Sequence, residues 1–317
     1  MNKGLSIIIT YYNGYNYIFN CIDSLLASFS NSKSKLKFEV ILVVDSPNDP
    51  KLDNYKVFDK YYEMLDLTIL KNEFNIGVSE SRNKGLKSVK FNHFTIIDQD
   101  DLVTLNYFSV LENNINIFDF DLYIINANIR YTKSNTESKM FYFTPKFELE
   151  SILFQNTNII TPALIIFNSN AVKTDGLFIE TSEKYKGCDD WAAYLNILMK
   201  NNSIKYRYIE DVLFTYCYHD NNYSHNLKEM IFSSITVIDF FIKVTDKSNT
   251  KILNALTFAR KRYEFLYYQK VKKMNYFDLI RYFSDQFFYQ YFFSFFNFDR
   301  LSRLFYRLSR LKKNVFP

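Results

Sequence analysis

The sequence predicts an α/β fold: a mostly parallel central sheet with flanking helices, followed by a helical C-terminal extension. Three observations predict it. Short aliphatic runs alternate with segments whose apolar residues recur at helical spacing. The runs lack polar alternation, as strands buried on both faces do. Beyond about Lys228 the strand signals stop and only helical stripes remain, such as Ile231, Ile235, Ile238 and Ile242.

Each element follows from its residues. The run 5–9 is a buried strand that ends in Thr10, Tyr11, Tyr12, Asn13 and Gly14. Tyr17, Ile18, Cys21, Ile22, Leu25, Leu26 and Phe29 then make one apolar helix face, closed by the polar stretch 30–37. A second strand over 38–45 finishes in Asp45, before the breakers Ser46 to Pro50. A helical segment around 55–65 and a short strand over 67–70 lead to Gly77 and a helix over 78–89 that carries Arg82. The strand over 94–97 stops in Asp98, Asp100 and Asp101, and a helix over 102–114 and a strand over 121–127 follow. The polar stretch 130–146 precedes a helix over 147–156 and a strand over 163–167. Asp189 and Asp190 stand at the start of a helix with Trp191, Tyr194, Leu195, Leu198 and Met199 on one face, and a strand over 204–218 ends in His219.

Composition narrows the function classes. Phe (33) and Tyr (26) greatly outnumber the single Trp, so either the core is very aromatic or aromatic surface is covered by something. The net charge of +5 is concentrated at Arg300, Arg303, Arg307, Arg310, Lys312 and Lys313. A basic tail points to an anionic surface rather than to nucleic-acid reading. With aromatic residues from 291 on, the segment 291–313 reads as an interfacial amphipathic helix, or as a helix packed on the core or in a dimer. Exposed aromatic helices often pair, so an oligomer is compatible with the sequence. Three widely separated cysteines without zinc spacing fit reduced thiols. No stretch approaches the ~20 apolar residues of a membrane span. The opening apolar run is too short for a signal peptide, so the expectation is a cytoplasmic protein whose membrane contact is peripheral.

The chemistry gathers at strand ends. Three acids in four positions repel one another unless a cation sits among them, and a divalent metal with oxygen ligands is the usual occupant. A polar turn that caps the next helix is the alternative. Thr10, Asp45 and Asp98 all end strands, and parallel sheets bind ligands outside their carboxyl ends. Asp189 and Asp190 serve either a site or the helix dipole; His219 is a site residue or a satisfied surface histidine. The six glycines form neither G-x-G nor P-loop spacing, which argues against dinucleotide oxidoreductases, pyrophosphorylases and P-loop enzymes.

The succession Ser6-Ile-Ile-Ile-Thr-Tyr-Tyr-Asn13, Val43-Val-Asp45, Asn75-Ile-Gly-Val-Ser-Glu-Ser-Arg-Asn83, Asp98-Gln-Asp-Asp101 and Asp189-Asp-Trp191 resembles a family 2 glycosyltransferase with the GT-A fold, of the bacterial type that builds capsular or lipopolysaccharide chains. The resemblance covers residues 1–225 and implies a nucleotide-sugar half over 1–128, an acceptor half over 129–225, and a separate helical region over 226–317. It implies that Thr10, Tyr11, Asp45, Arg82 and Asp98 bind the nucleotide, that Asp100 and Asp101 bind Mn²⁺ or Mg²⁺, and that Asp190 is the catalytic base. It makes Asp189 and His219 further candidate site residues, His219 for metal or diphosphate. The implied partners are a nucleotide-sugar donor, UDP-linked, and a saccharide or lipid-linked saccharide acceptor, with inversion at the transferred carbon. Asp189 stands where the family commonly has Glu, Asp45-Ser-Pro replaces paired acids followed by Gly, and no Arg directly precedes His219. The rival reading is a non-catalytic membrane-surface scaffold derived from such an enzyme.

Overall fold

The structure, a computed structural model, describes residues 2–115, 120–154, 157–181, 187–201, 203–220 and 222–274. The chain opens with β1 (Asn2–Tyr11), α1 (Tyr15–Ser32), β2 (Phe38–Val44), the short α2 (Asp59–Tyr62), β3 (Asp66–Lys71), α3 (Val78–Leu86) and β4 (Phe91–Asp98). It continues with β5 (Leu102–Val103), α4 (Tyr107–Asn114), β6 (Leu122–Tyr131), β7 (Thr136–Lys139), α5 (Leu149–Leu153), β8 (Ile165–Asn168), α6 (Asp189–Lys200), β9 (Tyr206–Tyr218), α7 (Leu227–Val244) and α8 (Thr250–Leu266).

The sheet runs in the order β3-β2-β1-β4-β8-β6-β9-β5, with β7 paired to β6. Its first four strands are parallel, and their aliphatic runs are buried, as strands covered on both faces require. β8 then enters antiparallel between β4 and β6, while β6 and β9 pair in parallel. Register fixes the site. Thr10 lies opposite both Val43 and Asp98, so the ends of β1, β2 and β4 share one edge.

Three elements differ from the sequence reading. Leu102 and Val103 leave the expected helix to pair with Thr215 and Phe214 of β9, and α4 begins only at Tyr107. Pairing across the sheet overrides local propensity there. Residues Pro50–Phe58 form a 3₁₀ helix begun by Pro50 and capped by Asp49, whose side chain accepts from Lys51 N, so little of 55–65 is α-helical. The polar stretch 130–146 holds β7, joined to β6 by Arg130–Glu137 at 2.6 Å and Asn128–Glu137 at 3.1 Å. Being polar on both sides, it lacks the alternation that marks a strand.

The described chain divides into a unit ending at Val237 and a second beginning at Ile238. Within the second, Arg260 donates to Asp239 at 2.6 Å and pairs with Glu264 one turn on. No described helix is long and apolar enough to cross a membrane. The segment 291–313 lies outside the described residues.

α3 packs on the sheet through Gly85, where a Cβ would stand 2.6 Å from Ile8 Cγ2 and 3.2 Å from Val43 Cγ2. Both contacts are fixed core atoms, so Gly85→Ala overpacks the interface and destabilises the fold by about 1–3 kcal/mol in urea unfolding. An unchanged midpoint would contradict this packing.

Candidate active site

Arg82 is the centre of the site. It projects from α3 and is buried, with Nη2 donating to Asp98 Oδ1 at 2.6 Å and Nη1 to Asp189 Oδ2. Burial alone would weaken its hold on the proton, but Asp189 and Asp98 more than offset that, and the guanidinium stays charged. Its Nε has no partner among the described residues. Phe178 covers it, ring centre 5.2 Å away, and Thr161 Oγ1 donates to the second oxygen of Asp98 at 3.3 Å. Arg82 thus ties the end of β4 to the start of α6.

Asp190 follows Asp189 in the first turn of α6, where acids also complement the helix dipole. Its Oδ1 accepts from Trp191 N at 2.6 Å. Burial, and then the neighbouring Asp189 charge, push the Asp190 carboxyl well above the ordinary carboxylate range, with Arg82 offsetting part of the rise. Burial raises Asp189 as well, and Arg82 opposes it. The residue before the pair, Cys188, holds a left-handed φ of 62°, a backbone strain that commonly persists beside a working site.

Asp100 and Asp101 point to different places. Asp100 Oδ2 lies 2.8 Å from His219 Nε2, and Tyr17 stacks flat on His219 at 5.1 Å between ring centres. Burial and the Asp98 charge raise the Asp100 carboxyl. Asp101 is turned inward, 1% exposed, and its Oδ1 accepts from Cys217 N at 2.7 Å, which fastens the end of β9. Among the described residues no three His, Cys, Asp or Glu side chains form a metal cage. The carboxylate of Asp100 nonetheless suits Mn²⁺ or Mg²⁺ in the manner of ions held by one or two side chains plus phosphate oxygens, and His219 stands beside it.

Asp45 accepts three hydrogen bonds: Asn72 Nδ2 at 2.8 Å, Ile76 N at 2.8 Å and Gly77 N at 3.0 Å. It therefore holds the loop before α3. Tyr11 is buried with its hydroxyl on Asp49 Oδ2 at 2.5 Å, and Thr10 is half-buried beside Asp98. Residues not singled out from sequence complete the edge. Gln99 pairs with both the N–H and the C=O of Tyr12 at 3.0 Å, pinning the loop after β1 to the acidic turn. A Cβ on Gly14 would fall 2.0 Å from the Gln99 amide oxygen, so that latch needs glycine. Gln99 sits inside the acidic motif, where it reads as a spacer.

Asp190 also lines a cavity of about 480 Å³ whose walls include Tyr131, Trp191, Tyr194, Tyr216 and Tyr218.

The sequence profile described as glycosyl transferase family 2 matches residues 6–176. Glycosyltransferase GlyA of Streptococcus pneumoniae is 28% identical over 139 residues, 44% of this chain but 18% of its own length. The chain therefore spans less than a fifth of that relative. A second relative, the uncharacterized glycosyltransferase MJ1057 of Methanocaldococcus jannaschii, is 25% identical over 75% of this chain and 79% of its own. Among solved structures, S. aureus TarS 1-349 in complex with UDP-GlcNAc superposes with a TM-score of 0.59 at 17% identity, covering 84% of this chain and 73% of TarS 1-349. At that identity the likeness speaks to the fold, a GT-A fold with a curled central sheet. The profile match takes in more than half of the sequence, and the chain belongs to glycosyl transferase family 2.

Proposed function

We propose that the protein is an inverting, metal-dependent glycosyltransferase, of hexosyl or N-acetylhexosaminyl class. It moves a sugar from a UDP-linked donor to a saccharide or lipid-linked saccharide during cell-surface polysaccharide synthesis. The observation that carries this reading is the Arg82 bridge, which ties the strand-end carboxylate Asp98 to Asp189, the residue next to the base candidate Asp190.

On this reading the uracil and ribose meet Thr10, Tyr11 and Asp45, with Asp45 Oδ2 accepting the imide N–H beside Gly77 N. Arg82 holds Asp98 in place for the ribose. Asp100, with His219 beside it, would hold the ion, and Asp101 supports them by fastening β9. Bound there, Mn²⁺ or Mg²⁺ supplies positive charge for the departing diphosphate. Asp190 accepts the proton of an acceptor hydroxyl as that oxygen bonds to the anomeric carbon. The bond from that carbon to the diphosphate oxygen breaks, its electron pair leaves with UDP, and configuration inverts. The basic, aromatic segment 291–313 suits an anionic lipid surface, where a lipid-linked acceptor would lie.

Calorimetry with UDP and UDP-sugars, in Mn²⁺ and in chelator, tests the donor site. One UDP-sugar is expected to bind with metal and to weaken about tenfold or more in chelator or in Asp100→Ala, about 1.4 kcal/mol. The absence of nucleotide binding under both conditions overturns the reading.

Asp190→Asn should cut kcat by roughly 10²–10⁴-fold with donor affinity retained. In the wild type, kcat/KM should fall with acid at a pH clearly above the about 4 of a free carboxylate, because Asp190 must be ionised to act. The same raised carboxyl sets a stability trend. Its folded form binds a proton more tightly than the unfolded chain does. That stabilisation is full below pH about 4 and is lost as pH rises through the raised value. The variant should therefore be more stable than wild type by about 1 kcal/mol at pH 8, after allowing for solvent screening of this half-buried group, and the gap should close below pH about 4. Equal stability at both pH values would contradict the electrostatic account.

A further inference from the structure

We infer that Ser233 of α7 is a positioning residue for Asp190, because its hydroxyl holds the turn from which the base candidate's helix starts. The inference rests on the transferase reading and adds to it a residue outside the donor edge. α6 begins without the usual cap. Its N-cap residue is Cys188, whose side chain makes no capping bond and whose φ of 62° is left-handed. A residue with a side chain keeps that conformation only where its surroundings over-determine it. Asp190 is the second residue of α6, so the direction of this turn decides where its carboxylate stands.

The constraint comes from α7. Ser233 Oγ accepts the N–H of Gly187, 46 residues away, at 3.1 Å, while Cys188 Sγ donates to Met230 O at 3.8 Å and lies 3.4 Å from Ser234 Oγ. A Cβ on Gly187 would fall 2.9 Å from Tyr223 Cε1 and 3.0 Å from Ser233 Oγ, so glycine is what lets this backbone come so close to α7. α7 buries apolar side chains at Ile231, Val237 and Phe241, and Ser233, at 0% exposed, interrupts that interior. The common reason for a buried helical serine is a bond to the carbonyl one turn back. Ser234 has that bond, to Met230 O at 2.9 Å, whereas Ser233 Oγ receives a backbone N–H from outside its helix. Alanine at 233 would leave the buried Gly187 N–H unpaired. The start of α6 is thus tied twice, through Asp189 to Arg82 and through Gly187 to Ser233. One tie would let the helix pivot; two fix its direction.

Hydrogen–deuterium exchange of the full chain, with Ser233→Ala beside wild type, reads the turn directly. Amides 187–191 should exchange about tenfold faster in the variant while β1 and β4 keep their protection. Calorimetry with UDP and Mn²⁺, and release of UDP from a UDP-sugar into water, read the consequence for the base. UDP affinity should stay within about twofold while turnover falls roughly ten- to hundredfold. Ser234→Ala is the matched control, since it removes a hydroxyl of the same size from the same helix without unpairing a backbone group of the turn. It should change exchange and turnover by less than about threefold. Unchanged exchange over 187–191 in Ser233→Ala overturns the inference. Equal effects of the two serine variants, or parallel loss of UDP affinity and turnover, also overturn it, because either result marks Ser233 as general packing. If wild type binds no UDP, the transferase reading fails and the inference falls with it; if UDP binds and exchange is unchanged, only the inference falls.

Discussion

The site depends on one buried guanidinium. Arg82 reaches Asp98, 16 residues on, and Asp189, 107 residues on, and so joins the end of a central strand to the first turn of α6. A pair of this kind on the surface would contribute about 0–1 kcal/mol, but removing one member of a buried pair leaves an uncompensated charge and costs about 3–5 kcal/mol. Burial is what gives the bridge its weight. It also makes positional demands, since Gly85, one turn further along α3, lets the helix lie close enough to the sheet for Arg82 to reach inward.

Around that guanidinium the protein collects more negative charge than it neutralises. Asp98, Asp189 and Asp190 surround Arg82, Asp100 meets His219 and Asp101 is buried behind them, and burial raises the proton affinity of four of those carboxyls. An arrangement of that kind is costly for folding and suits a site that receives cations or protons. The two halves of the sheet divide the work. The parallel half ends in the loops that Asp45 and Gln99 hold, while β6 and β9 supply Tyr131, Tyr216 and Tyr218 to the cavity beside Asp190.

Much of this was legible in the sequence because the parallel strands are continuous aliphatic runs that end abruptly in Thr10, Asp45 and Asp98. The family resemblance rested on the same stretches, and the family assignment follows from the profile match. Three things were not legible. The pairing of Leu102 with Thr215 depends on a strand more than a hundred residues away, which local propensity cannot register. The hairpin through Glu137 is polar on both faces and carries no periodic signal. The inward turn of Asp101 is decided by Cys217 N, so three acids within four positions that look alike in sequence take separate places in the fold.

Arg82 and Asp189 act as one unit that ties the end of β4 to the first turn of α6. A double-mutant cycle of Arg82→Gln and Asp189→Asn, read on urea unfolding and on UDP-sugar turnover, tests it most directly. The expected coupling is about 2 kcal/mol or more, with the double variant more stable than Arg82→Gln alone. Additivity within about 0.5 kcal/mol on both readouts would show that the bridge does not organise the site, and would contradict the account.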